Sequence, residues 1–96
     1  MTDKNEITEA AEIFLGMNYS NLLGVNEPVI DKKNGIWKAE IIYVSKIAKF
    51  NLGLEMIFDS KGRLIMVPSL EKVHGIIDKK FHELGIKPEV YPKIIF

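Results

Sequence analysis

The apolar residues change their period twice along this chain, and that change constrains the fold more than any single motif does. They recur at helical spacing from Ile7 to Met17, alternate from Val29 to Val67, and return to helical spacing from Leu70 to Leu84. The pattern predicts an α+β fold: an N-terminal helix, a four-stranded antiparallel meander, a C-terminal helix and an extended tail. Ninety-six residues suffice for one domain with a real core but not for two, so residues 1–96 are read as a single domain.

The first helix opens on Asp3, with Glu6 three positions on in the spacing of a capping box. Ile7, Ala10, Phe14 and Met17, with Ala11 beside them, form its apolar stripe. "GMNYSN" ends it, and Gly24 is expected to close a short turn after Leu22 and Leu23. "PVIDKK" is then a short strand, which Pro28 restricts to a sheet edge or to the strand's first position. "NG" at 34 and 35 is a hairpin signal because both turn positions favour positive φ. Ile36 to Ser45 is the longest strand and Leu52 to Asp59 its successor. "DSKG" gives a tight turn into Arg63–Val67. Pro68 stops that strand and Ser69 caps a helix with Leu70, Val73, Ile77, Phe81 and Leu84 on one stripe. Gly85 stands at its C′ position.

Alternation assigns the faces of the sheet. Trp37, Ala39, Ile41 and Tyr43 point one way, with Leu52, Leu54, Met56 and Phe58 from the next strand. Glu40 and Glu55 then share the second face. A register with Trp37 opposite Phe58 sets the two carboxylates directly across from each other, which is unfavourable. A shift by two brings Lys38 opposite Glu55 or Asp59 instead. A carboxylate pair can perform acid–base chemistry if burial raises one pKa, but no third group completes such a site here. Lys38, Glu40, Glu55 and Asp59 are therefore read as a solvated charge ladder. The same face also carries Ile36, Ile42, Val44, Ile57, Ile65 and Val67, so part of it is expected to be covered by the C-terminal helix, the tail or another chain.

His74, Asp78 and His82 recur every four residues along one side of the second helix. The outer two lie about 12 Å apart along the axis, so these weak candidates are not expected to form a metal site. "KIAKFN" at 46–51 is the tip of the long hairpin, where Ile47 and Phe50 are expected to be exposed and open to a protein partner. Thirteen basic and thirteen acidic residues cancel, leaving no broad positive field for nucleic acid. There is no cysteine, no glycine-rich phosphate loop and no nucleophile elbow. The polar, acidic N-terminus has no signal-peptide character, and no stretch reaches the roughly 20 apolar residues of a membrane span. The expectation is a cytoplasmic protein without a cofactor.

The middle of the chain resembles the gas vesicle accessory proteins of the O type. In those a "GW" opens a strand, a basic-Ile-Pro segment follows, and Tyr-Glu-x-x-Leu-Asp and a Gly-Glu-Leu turn close the motif. Gly35 and Trp37 fall near the "GW", with Ile36 inserted between them. Lys46, Ile47 and Ala48 take the basic-Ile-Pro place, and Leu54, Glu55, Asp59, Gly62 and Leu64 match the last part. The overlap covers roughly residues 24 to 66, much of it ordinary hairpin grammar. The family's Pro is here Ala48, its Tyr is Leu54, and its basic aromatic ending is missing. PepSY-like and cystatin-like small domains share the same order of elements. The resemblance implies a non-enzymatic assembly protein of gas vesicles.

The functional expectation is a small non-catalytic interaction module that forms a homodimer or binds another protein. Ile42, Ile57, Ile47, Phe50, Tyr91, Ile94 and Phe96 are its candidate contact residues. The tail from 86 to 96 contributes because Val90, Tyr91, Ile94, Ile95 and Phe96 are costly to leave in water. The alternative is a small-molecule binder or simple acid–base enzyme, with a pocket between sheet and helix using Tyr43, Trp37 or the glutamates.

Overall fold

A computed structural model describes residues 2–86 and is α+β throughout. Helix α1 (Lys4–Asn18) begins where the Asp3 carboxylate accepts the Glu6 backbone N–H at 3.0 Å. Its fully buried residues are Ile7, Ala11 and Leu15, a strict i, i+4, i+8 row. The stripe therefore turns slightly from the expected one: Leu15 is core, Ala10 and Phe14 flank it, and Met17 is 75% exposed. The helix ends at Tyr19, whose hydroxyl donates to the Pro68 carbonyl at 2.6 Å and ties the first helix to the start of the last.

The sheet has five strands: β1 (Leu23–Val25), β2 (Val29–Asp31), β3 (Ile36–Val44), β4 (Lys49–Asp59) and β5 (Leu64–Met66). The expected meander runs through β2, β3, β4 and β5. Residues 23–25 add a strand where a turn at Gly24 was expected. Strands β1 and β2 both pair with β3 along its outer edge, Leu23 with Tyr43 and Ile30 with Trp37. They form one edge interrupted at Asn26–Pro28, because Pro28 has no N–H to donate.

Three local departures from regular alternation shape the faces. In β4, Leu52, Gly53 and Leu54 stand against Ile41 alone, since Glu55 pairs with Glu40 and Asn51 with Ile42. Gly53 adopts φ 73°, a left-handed conformation natural to glycine at such a bulge. The bulge lets β4 run back to Lys49, three residues before the expected start. At the β2–β3 connection only Gly35 has positive φ, so the turn is not the two-residue kind that "NG" suggested. Asp31 pairs with Ile36 across a four-residue loop, and its carboxylate receives the Asn34 backbone N–H and side-chain amide at 3.2 and 2.8 Å. In β5, Ile65 bulges out between Leu64 and Met66, which pair with Phe58 and Ile57. Met66 thus takes the second-face place expected of Ile65 and Val67, while Val67 packs against the core.

The Asp59–Gly62 turn forms as the sequence predicts. Asp59 accepts the Lys61 and Arg63 backbone N–H groups and the Arg63 guanidinium. These bonds hold its carboxyl below the usual range despite some opposing desolvation.

Helix α2 (Leu70–Glu83) is capped by Ser69, which accepts the Lys72 N–H. It ends at Gly85, φ 73°, in a Schellman motif: Ile86 N–H bonds the Phe81 carbonyl and Gly85 N–H that of His82. Val73, Ile77 and Phe81 are buried, whereas Leu84, beyond the last helical turn, is exposed. Both helices lie on the Trp37 face. Their buried residues join Trp37, Ala39, Ile41, Tyr43, Leu52, Met56 and Phe58 in one core.

At one end of that core Tyr43 stacks on Phe50 with ring centroids 5.0 Å apart, and both meet the Phe81 ring edge-on. The Tyr43 side chain is fully buried, and its hydroxyl makes no hydrogen bond of good geometry among the described residues. Burial pushes this phenol up, and the nearby Ser45 offsets only part of that. An unpartnered buried hydroxyl destabilises a fold. Tyr43→Phe is therefore expected to raise stability by about 1 kcal/mol, read from denaturant midpoints at neutral pH. The sign with pH follows from linkage. The folded phenol stays protonated where the unfolded one ionises, so stability is complete below the unfolded tyrosine pKa of about 10 and declines as pH rises toward the folded value. Tyr43→Phe should shrink that alkaline loss, leaving the share due to Tyr19, which burial also raises. A variant less stable than the parent would show that the hydroxyl has a partner.

Candidate functional site

With both helices on one side, the second face of the sheet carries no helix among the described residues. Register arranges its side chains in rows across the strands. The first row is Asp31, Ile36 and Asp59; the second is Val29, Lys38, Ile57 and Met66. Glu40 and Glu55 form the third, beside Asn26. Gly24, Ile42 and Asn51 form the fourth, and Val44 and Lys49 the last. Val29 and Met66, at the two ends of the second row, are 66% and 63% exposed, and Val44 is exposed as well. Ile36, Ile42 and Ile57 are half-buried by their neighbours. This is an amphipathic surface with aliphatic side chains around a charged centre.

The register adopted is the one that sets Glu40 directly opposite Glu55, with Trp37 opposite Phe58. Packing of Trp37 and Phe58 on the core face outweighs the proximity of two carboxylates on the wet face, since cross-strand charge pairs are worth only about 0.2–1 kcal/mol. The edge strand relieves part of the conflict. Asn26 donates its side-chain amide to Glu40 Oε1 at 3.0 Å and to Asn51 Oδ1 at 3.3 Å, and its backbone N–H to the Glu40 carbonyl. A surface hollow of about 480 Å³ lies here, lined by Asn26, Glu27, Val29, Lys38, Glu40 and Glu55. Glu27 is engaged elsewhere, with Lys4 at 2.6 Å, which holds its carboxyl low. Neither the Lys38 nor the Glu55 side chain makes a hydrogen bond or an ion pair among the described residues; the Asp31 carboxyl is held low chiefly by its Asn34 hydrogen bonds, with a smaller contribution from the Lys38 charge.

Of the residues singled out from sequence, Ile42 and Ile57 lie on this face. Ile47 is exposed at the hairpin tip, where Ser45 and Ala48 close a tight turn. Phe50 is not at the tip. Because the β4 bulge shifts register, it pairs with Tyr43 and turns its ring toward the core. Tyr91, Ile94 and Phe96 lie outside the described residues. His74 is half-buried on α2 while Asp78 and His82 are exposed, and no cluster of three metal-ligating side chains forms among the described residues. Trp37 and Tyr43 face the filled core whereas the glutamates face away, so they share no pocket. Sequence reasoning missed the roles of Asn26, Val29 and Met66. A glycine within a strand pattern, as at Gly53, signals a bulge and could have exposed the register.

The fold and this surface define a two-layer α+β domain in which, among the described residues, one sheet face is uncovered. No family model, curated protein or solved structure matches the chain. No helix among the described residues is long and apolar enough to cross a membrane.

Proposed function

We propose that this chain is a small non-catalytic interaction module that self-associates through the open face of its sheet. The observation that carries this is the exposure of Val29, Val44 and Met66 on one continuous surface that neither helix covers. Burying such side chains stabilises an association by roughly 1.5–3 kcal/mol each when fully removed from water. The core between sheet and helices is occupied by the protein's own side chains, which favours an interaction surface over an internal ligand pocket. The resemblance of residues 24–66 to gas vesicle accessory proteins points in the same direction, toward assembly, and neighbouring genes for gas vesicle components would support it.

Sedimentation equilibrium tests the proposal. The protein is expected to be dimeric at micromolar concentration, and Ile42→Lys or Ile57→Lys is expected to give a folded monomer. Wild type that remains monomeric at high micromolar concentration would overturn it.

A further inference from the structure

The unresolved charges of the open face specify how a second copy would sit on it. Glu40 and Glu55 are directly opposed, and Lys38 stands one row away. Asn26 attends to Glu40, but the Glu55 carboxylate and the Lys38 ammonium are in no ion pair among the described residues. A two-fold axis parallel to the strands would lay each row on itself, carboxylates over carboxylates and each Lys38 over the other copy's Lys38–Ile57 row, away from any carboxylate. A two-fold axis across the strands, between the Lys38–Ile57 row and the Glu40–Glu55 row, exchanges the two rows instead. Each Lys38 then faces Glu40 of the other copy with Glu55 diagonal to it, Ile57 of each copy faces Glu55 of the other, and Ile36 of each faces Ile42 of the other. Repulsion between the carboxylates of each chain is offset by attraction between chains, and Ile36 and Ile42 bury each other at the ends of the contact.

Building on the self-association proposed above, we infer that the partner is a second copy of this chain, docked face to face about that axis, with reciprocal Lys38 to Glu40–Glu55 contacts. An isologous arrangement satisfies every such contact twice. Like-charge juxtaposition across an interface is strongly unfavourable, so charge reversal selects partners.

Two variants read this out by analytical ultracentrifugation, with circular dichroism confirming that each is folded. Lys38→Glu makes both rows acidic, and Glu40→Lys combined with Glu55→Lys makes both basic. Each alone is expected to dimerise about tenfold more weakly or worse, while an equimolar mixture should recover the sedimentation coefficient of the wild-type dimer. Raised salt should weaken the wild-type dimer and the mixed dimer alike. If wild type dimerises and Ile57→Lys abolishes it, yet Lys38→Glu still pairs with itself or the mixture fails to recover, the arrangement is wrong while self-association stands. A monomeric wild type removes both.

Discussion

Trp37→Ala is expected to lower stability by about 3–5 kcal/mol, the largest loss from any single substitution on the sheet. The indole lies on the buried face of β3, with Phe58 directly across on β4 and Ile30 across on β2, and is only 6% exposed. Its removal leaves space that neither neighbouring strand can collapse into without breaking ladder bonds. Native domains hold only about 5–15 kcal/mol in total, so the variant should unfold at a much lower urea concentration. Circular dichroism is the proper probe, since the fluorophore is lost. Wild-type emission should be blue-shifted. A loss below about 1 kcal/mol would show that Trp37 lies against solvent and not in the core.

Phe81→Ala is expected to cost a similar amount, about 3–5 kcal/mol, by a different route. Phe81 is the last buried residue of α2, and its ring meets both Tyr43 and Phe50 edge-on at 5.3 and 6.0 Å. Such aromatic pairs contribute about 0.5–1.5 kcal/mol beyond the area they bury. The substitution should therefore loosen the helix end and the long hairpin together. Gly75→Ala on the same helix supplies the contrast. An added Cβ there meets nothing within 4 Å, so the gain of up to about 1 kcal/mol in helix propensity is unopposed. Opposite signs for the two changes, measured by thermal unfolding, would separate packing from propensity. If Phe81→Ala left the midpoint unchanged, α2 would not belong to the cooperative unit.

Elements specified by local signals are legible in the sequence, and those specified by distant pairing are not. The Asp3 and Ser69 caps, the Gly85 stop and the Asp59–Gly62 turn are determined within four or five residues, and all form as the sequence indicates. Trp37, Ala39, Ile41 and Tyr43 alternate without interruption, so their buried face could be assigned directly. Where register depends on a residue inserted without a partner, alternation misleads. The bulge at Gly53 extends the pairing back to Lys49, so Phe50, read as part of an exposed hairpin tip, lies in the strand opposite Tyr43. Strand β1 has only three residues and owes its existence to pairing with distant Tyr43, Ile42 and Ile41. The charged centre was legible as a shared face, but its details required knowing that Asn26 reaches over from an edge strand.

The interruption of that edge strand also bears on whether the sheet can be extended from its borders. A sheet grows without end when its outermost strand offers an unbroken row of N–H and C=O groups to the next molecule. Here the row is broken at Asn26–Pro28 on one side. On the other, β5 is three residues long and the rest of β4 is bent by its own bulge. Among the described residues neither border is a flat template, so strand addition in the manner of a fibril is disfavoured at both. The protein can thus carry exposed aliphatic side chains on its sheet without setting a flat, unbroken strand border beside them.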